Sequence, residues 1–123
     1  AKIKYDAEDK SKGIYYSIIR TDIHNYGFAE EDTFDLSLLE ESFGSNEFIE
    51  KQISRKQTTH KGYPALETQY LHKDGAVMTA KFIIQGPHYY TLIAKTKNAK
   101  ADTKPFFSSF EINIEYPRLD GLY

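Results

Sequence analysis

The chain has no cysteine and no tryptophan, a single methionine and only four prolines among its 123 residues. Without cysteine, a disulfide scaffold, a thiolate metal site and a thiol nucleophile are all excluded. No apolar run approaches the roughly 20 residues that a membrane-spanning helix requires. An excess of one charge is missing as well. Sixteen Lys and Arg stand against 18 Asp and Glu, for a formal charge of −2 and an isoelectric point near 6.1. That balance provides no field to attract nucleic acid or an anionic membrane.

Motifs that carry chemistry are equally scarce. There is no Gly-x-Ser-x-Gly elbow, and Ser108 and Ser109 lie among phenylalanines in a segment built for packing. Gly86-Pro87 lacks the glycine and lysine of a phosphate-cradling loop, and Gly13 stands alone. Asp6, Glu8 and Asp9 lack the central glycine and distal glutamate of a calcium loop. The histidines, His24, His60, His72 and His88, form no His-x-His pair, although Asp22/His24 and His72/Asp74 have same-face strand spacing. No catalytic residue, metal site or cofactor follows from these patterns, and an enzyme is not expected.

What the chain does contain is patterned apolar and aromatic residues. They make up 40% and 15% of it, with ten Tyr and eight Phe, too many large rings for a disordered segment. A chain of this length can bury roughly two thirds of its unfolded surface, enough for one core. Ala1–Asp6 alternates weakly and reads as a first strand. Ala7–Lys12 reads as a charged turn closed by Gly13. Ile14–Ile23 is β-branched and aromatic, with Tyr16 and Ile18 on one face and Tyr15 and Ile19 nearer the other. Asp32 or Thr33 can cap a helix reaching about Phe43. Leu36, Leu39 and Phe43 form its apolar stripe, Phe34 and Leu38 widen it, and Gly44 offers a left-handed stop.

Period two then returns. Phe48–Thr59 carries basic side chains suited to a strand near a sheet edge, and Gly62-Tyr63-Pro64 interrupts it. Ala65–His72, a Lys73-Asp74-Gly75 turn, Ala76–Gln85 with Met78, Ala80, Phe82 and Ile84 on one face, and His88–Thr96 with Tyr90, Leu92 and Ala94 on one face read as a meander. Asn98–Thr103 is polar and ends in a cap signal. Pro105 suits the start of a helix whose Phe106, Phe107 and Phe110 press on the sheet. Glu111–Glu115 reads as a last strand and residues 116–123 as a tail leading to further sequence. Links this short forbid parallel crossovers, so the expected fold is α+β: a mainly antiparallel sheet of about five to seven strands flanked by two helices, in a single domain over residues 1–115.

The ordered signals Gly62-Tyr63-Pro64-Ala65-Leu66-Glu67, the Lys-Asp-Gly hairpin, Tyr89-Tyr90-Thr91-Leu92 and Phe106-Phe107-Ser108-Ser109-Phe110 resemble PsbP-like domains, in particular small bacterial members that are often exported or lipid-anchored. The likeness covers roughly residues 13–114. It implies an α/β/α sandwich, an accessory or assembly role and no catalytic motif. Such domains usually open with a further strand or hairpin carrying a Phe-Pro element, which this sequence does not show. Together with a first residue that is not Met, this reads as a piece of a larger, exported bacterial protein of the periplasm or cell envelope. The expected partner is another protein or another domain of the same polypeptide.

Arg55, Lys56, His60, Lys61 and the neighbouring Tyr63 are the candidate interaction surface. Basic groups beside an aromatic ring can contact phosphate and base, but the negative net charge favours a cationic strand edge instead, so nucleic acid is not expected. Tyr15, Tyr16, Tyr63, Tyr70, Tyr89 and Tyr90 serve either the core or the border of a groove between sheet and helix. That groove carries the alternative reading, a binder of a small apolar or lipid-like ligand.

Overall fold

The computed structural model describes residues 2–22, 32–85, 88–98 and 100–111. Its elements are β1 (Lys2–Asp9), β2 (Ile14–Asp22), α1 (Asp32–Gly44), β3 (Ile49–His60), β4 (Tyr63–His72), β5 (Val77–Gln85), β6 (His88–Thr96) and α2 (Lys104–Ser109). The six strands form one sheet in the order β1-β2-β6-β5-β4-β3, every pairing antiparallel. The expected α+β architecture is therefore present. The β1–β2 hairpin is followed by α1, which leads to the far edge. The meander β3–β6 then returns across the sheet until β6 pairs with β2.

Strand alternation assigns the two faces. Ala80, Phe82 and Ile84 of β5 join Leu66, Tyr70, Ile93 and Leu36 under α1, with Leu39, Phe43 and Met78 packed against them. Ile83, Leu92 and Ala94 point the other way and join Ile14, Ala65 and Phe107 under α2. β5 is buried without interruption from Thr79 to Ile84 because both of its faces are covered. The α2 face holds the three expected phenylalanines. Phe107 is 6% exposed, Phe106 lies 4.5 Å from the Tyr16 ring and Phe110 lies 5.4 Å from Tyr90.

The boundaries differ where local chemistry outweighs pattern. β1 runs to Asp9, three residues past the expected end, since Ala7, Glu8 and Asp9 pair with Tyr16, Tyr15 and Ile14. The turn that follows is held by Asp9, whose Oδ1 accepts the Ser11 and Lys12 amides. α1 does not use Gly44 as a left-handed stop, for the glycines with positive φ lie elsewhere. Its end closes through the Ser45 amide to the Glu41 carbonyl and the Asn46 amide to that of Phe43. At α2 the Thr103 side chain makes no capping bond, and Asp102 Oδ1 accepts the Lys104 amide instead.

The break expected at Gly62-Tyr63-Pro64 is a two-residue hairpin. Lys61 (φ 50°) and Gly62 (φ 91°) both take the left-handed conformation that a type I′ turn demands. Tyr63 already pairs with His60, and Pro64 is tolerated because β5 pairing begins only at Ala65. The side chains of Phe34 and Leu38, the expected strand from residue 112 on and the tail lie outside what the structure describes.

Candidate functional site

The basic stretch is divided by the register of β3. Arg55 stands opposite Thr68 on the α1 face, where its Nε donates to both carboxylate oxygens of Glu40 at 2.8 and 2.9 Å. Gln52 Nε2 adds a third bond to Glu40 at 2.8 Å, so this cluster ties the end of α1 to the sheet edge. Lys56 points to the opposite face, in register with Glu67, which in turn stands opposite Lys81. Lys61 sits in the hairpin turn, with Nζ 3.3 Å from Glu111 Oε1. Tyr63 packs half-buried into the α2-side core.

His60 is interior, only 4% exposed. One ring nitrogen, Nε2, is 2.6 Å from the Phe110 carbonyl oxygen, and the other, Nδ1, is 3.2 Å from Lys81 Nζ. An ammonium can only donate, so Nδ1 accepts and the neutral ring carries its proton on Nε2, which donates to the carbonyl. Burial, then the nearby Lys81 and Lys61 charges, hold the imidazole below its ordinary value, against the opposing pull of the Phe110 carbonyl. Burial likewise lowers Lys81. This buried pair latches the end of α2 to the sheet. Of the five candidates, His60, Lys61 and Tyr63 thus gather at the hairpin, while Arg55 and Lys56 lie on different faces.

The other histidines are dispersed. His72 stacks on Phe48 with ring centroids 5.9 Å apart, His88 lies 6.4 Å from the Tyr90 ring, and His24 lies outside the described residues. Among the described residues no group of three potential ligands could hold a metal ion.

A concavity does exist, on the α1 face. α1 packs mainly on β4 and β5, and among the described residues the face toward β2 and β6 forms the floor of a groove of about 410 Å³. Leu39 and Phe43 of α1, with Phe48 and Ile49 beyond it, form one wall. Ile19, Ile93, Met78 and Phe82 line the floor, and Lys4, Tyr15, Ser17, Thr21, Thr91 and Lys95 supply polar groups. The volume lies within the range of ordinary small-molecule sites, and an apolar floor with a few polar groups is their usual composition.

The polar groups are mostly committed to one another. Tyr15 Oη donates to Asp6 Oδ1 at 2.6 Å. That bond is the first cause that lowers Asp6, and the same bond, followed by burial, raises the Tyr15 phenol. Ser17 is 2% exposed, and among the described residues its Oγ meets no partner at ordinary hydrogen-bond distance and angle. At the far end Lys95 Nζ donates to Asp74 Oδ2 at 2.8 Å. This bond, followed by one from the Ala76 amide, holds the Asp74 carboxyl at about 2. Phe48, 55% exposed, stands at the rim. Of the six tyrosines weighed from sequence only Tyr15 lines the groove; Tyr70 belongs to the core under α1. No signal in the sequence marks Ser17, Thr91 or Ile93 as groove residues, because that role depends on how much of the face α1 covers.

No family model matches the chain, and no curated protein matches it. Among solved structures it is similar to PA94 from Pseudomonas aeruginosa, a protein of unknown function named as a candidate regulator. The match has a TM-score of 0.62 at 12% identity, and covers 94% of this chain and 85% of that one. At such identity the likeness shows the fold alone.

Proposed function

We propose that this chain is a non-catalytic binding domain that takes an apolar-tailed small molecule in the groove between α1 and the sheet. The groove itself carries the reading. About 410 Å³ of space is far more than a few waters need, and its apolar floor suits a hydrocarbon chain. The polar side chains are paired within the fold, as Tyr15 is with Asp6 and Lys95 with Asp74. They are therefore engaged in structure and not poised for proton or group transfer. The resemblance of the sequence to PsbP-like domains adds to this reading an accessory role inside a larger, exported bacterial protein. In that setting a neighbouring protein or domain is the second class of partner, and the exposed rings of Phe48 and Tyr5 favour it.

The test is a fluorescence titration with a medium-chain fatty acid carrying an environment-sensitive dye. Saturable micromolar binding is expected, weakened at least tenfold by Thr91→Trp, which fills the floor. Absence of saturable binding, or equal binding by the filled variant, refutes the reading.

A further inference from the structure

The sheet has two free edges in the described residues, and they differ. β3 is irregular, with register shifts between Ile49 and Lys51 and between Gln52 and Ser54, and it carries Lys51, Arg55 and Lys56 along its length. Bulges and cations of this kind keep an edge from recruiting another strand. β1 has no bulge, and its two lysines, Lys2 and Lys4, are matched along the strand by Asp6, Glu8 and Asp9. Its eight residues pair with β2 in unbroken register from Lys2 to Asp9, and its outer edge offers a straight row of backbone donors and acceptors.

The order of charges along β1 identifies what such an edge accepts. The segment reads Lys2-Ile3-Lys4-Tyr5-Asp6-Ala7-Glu8-Asp9. Run antiparallel against itself about Tyr5, it sets Lys4 opposite Asp6 and Lys2 opposite Glu8, while Ile3 meets Ala7 and Tyr5 meets its own copy. A two-residue slip either way places Lys4 against Lys4 or Asp6 against Asp6. Like charges directly opposite each other disfavour a pairing. A one-residue slip sends every side chain to the wrong face. The chain's own charges thus select one register. Tyr5, at the centre of that register, is 64% exposed on the α2 side of the sheet, an unusual position for a large ring with no cover. The neighbouring Lys4 Nζ lies 3.9 Å from Asp6 Oδ2, a loose contact that a better placed carboxylate can replace.

We propose that β1 is a homodimerisation edge, pairing antiparallel with β1 of a second copy about Tyr5 to form one continuous twelve-stranded sheet. The two-fold axis is perpendicular to the sheet, so both α1 helices lie on the same side. The open β1-β2-β6 halves meet between them, and the two grooves join across the new pairing. The interface is isologous, each Lys4 meeting Asp6 of the other copy. It stands independently of whether the groove holds a ligand.

Sedimentation equilibrium of the 123-residue chain at high micromolar concentration tests it, with circular dichroism and melting temperature recorded for each variant. Wild type is expected to dimerise. Lys4→Asp or Asp6→Lys alone should weaken the dimer by about tenfold, since each creates two symmetry-related like-charge pairs, and added salt should narrow that gap. The combined reversal, Lys4→Asp with Asp6→Lys, restores the dimer. Tyr5→Cys, the sole thiol in the chain, should form a covalent dimer on oxidation, because directly opposed residues hold their Cβ atoms about 4.5–5.5 Å apart. Lys10→Cys in the turn should not. A wild-type monomer, a dimer that survives both single reversals, or folded double-reversal protein that remains monomeric overturns the proposal.

Discussion

Replacing His60 with Ala removes the ring that joins α2 to the sheet, and the structure sets the size of the effect. The Phe110 carbonyl, now bonded to Nε2 at 2.6 Å, loses its donor, and Lys81 loses its acceptor at 3.2 Å. Leaving a buried polar group without a partner costs about 1–3 kcal/mol, and an emptied ring site adds about 1–2 kcal/mol. The total is about 3 kcal/mol, or a melting temperature about 12 °C lower for a domain of this size. His60→Phe keeps the ring volume and removes only the hydrogen bonds, so its loss should be about 2 kcal/mol. Urea denaturation of the two variants separates the contributions. A loss below about 0.5 kcal/mol for His60→Phe would refute the latch.

Acid acts on the same pair. Unfolded His60 takes up a proton near its ordinary value of 6.5, whereas the folded ring is held lower, first by burial and then by Lys81 and Lys61. The unfolded state therefore binds more protons in the interval between the two values. The stability from the neutral ring is fully present above 6.5 and is lost as pH falls through the folded value. His60→Phe should flatten this acid limb. Lys81→Met should raise the titration midpoint of the ring without restoring 6.5, because burial remains the larger cause. The imidazole carbon resonance followed by NMR checks both, and a wild-type midpoint at or above 6.5 contradicts the assignment.

Two further outcomes follow from packing and backbone geometry. Phe107→Ala should cost about 3–4 kcal/mol in chemical denaturation, since the ring is buried in the α2-side core. Gly62→Ala should cost about 1–2 kcal/mol from backbone strain alone: φ is +91° and a β-carbon there meets nothing within 4 Å. A loss near zero would mean the hairpin takes another turn type.

The fold was legible wherever periodicity met a two-sided core. Met78, Ala80, Phe82 and Ile84 alternate against Leu92 and Ala94 because β5 and β6 bury both faces, and apolar spacing records that directly. The Lys61-Gly62 hairpin was harder to see. Its signal is a lysine in a left-handed conformation, which composition does not advertise, and the adjacent proline mimics a break. The pairing of β2 with β6 had no local signal at all, since it depends on the meander returning across the whole sheet.

The site was less legible than the fold because its residues owe their roles to coverage. Arg55 and Lys56 are neighbours in sequence, yet the two-residue period of a strand assigns one to Glu40 under α1 and the other to the Glu67 side. His60 reads like a member of a basic surface run, but four strand positions beyond Lys56 the same face passes beneath Phe110 and becomes interior. Conversely, Ile19, Thr91 and Ile93 read as ordinary strand residues. They line a groove because, among the described residues, the 13-residue helix packs mainly on β4 and β5 of a sheet six strands wide. A single helix about 10–12 Å across, packed mainly on β4 and β5, cannot cover six strands spaced about 4.8 Å apart. Among the described residues, the part of the face left open is thus a geometric consequence of sheet width against the width of one helix. Any change that lengthens α1 or adds a helix over β2 and β6 should close the groove while leaving the core beneath β4 and β5 intact.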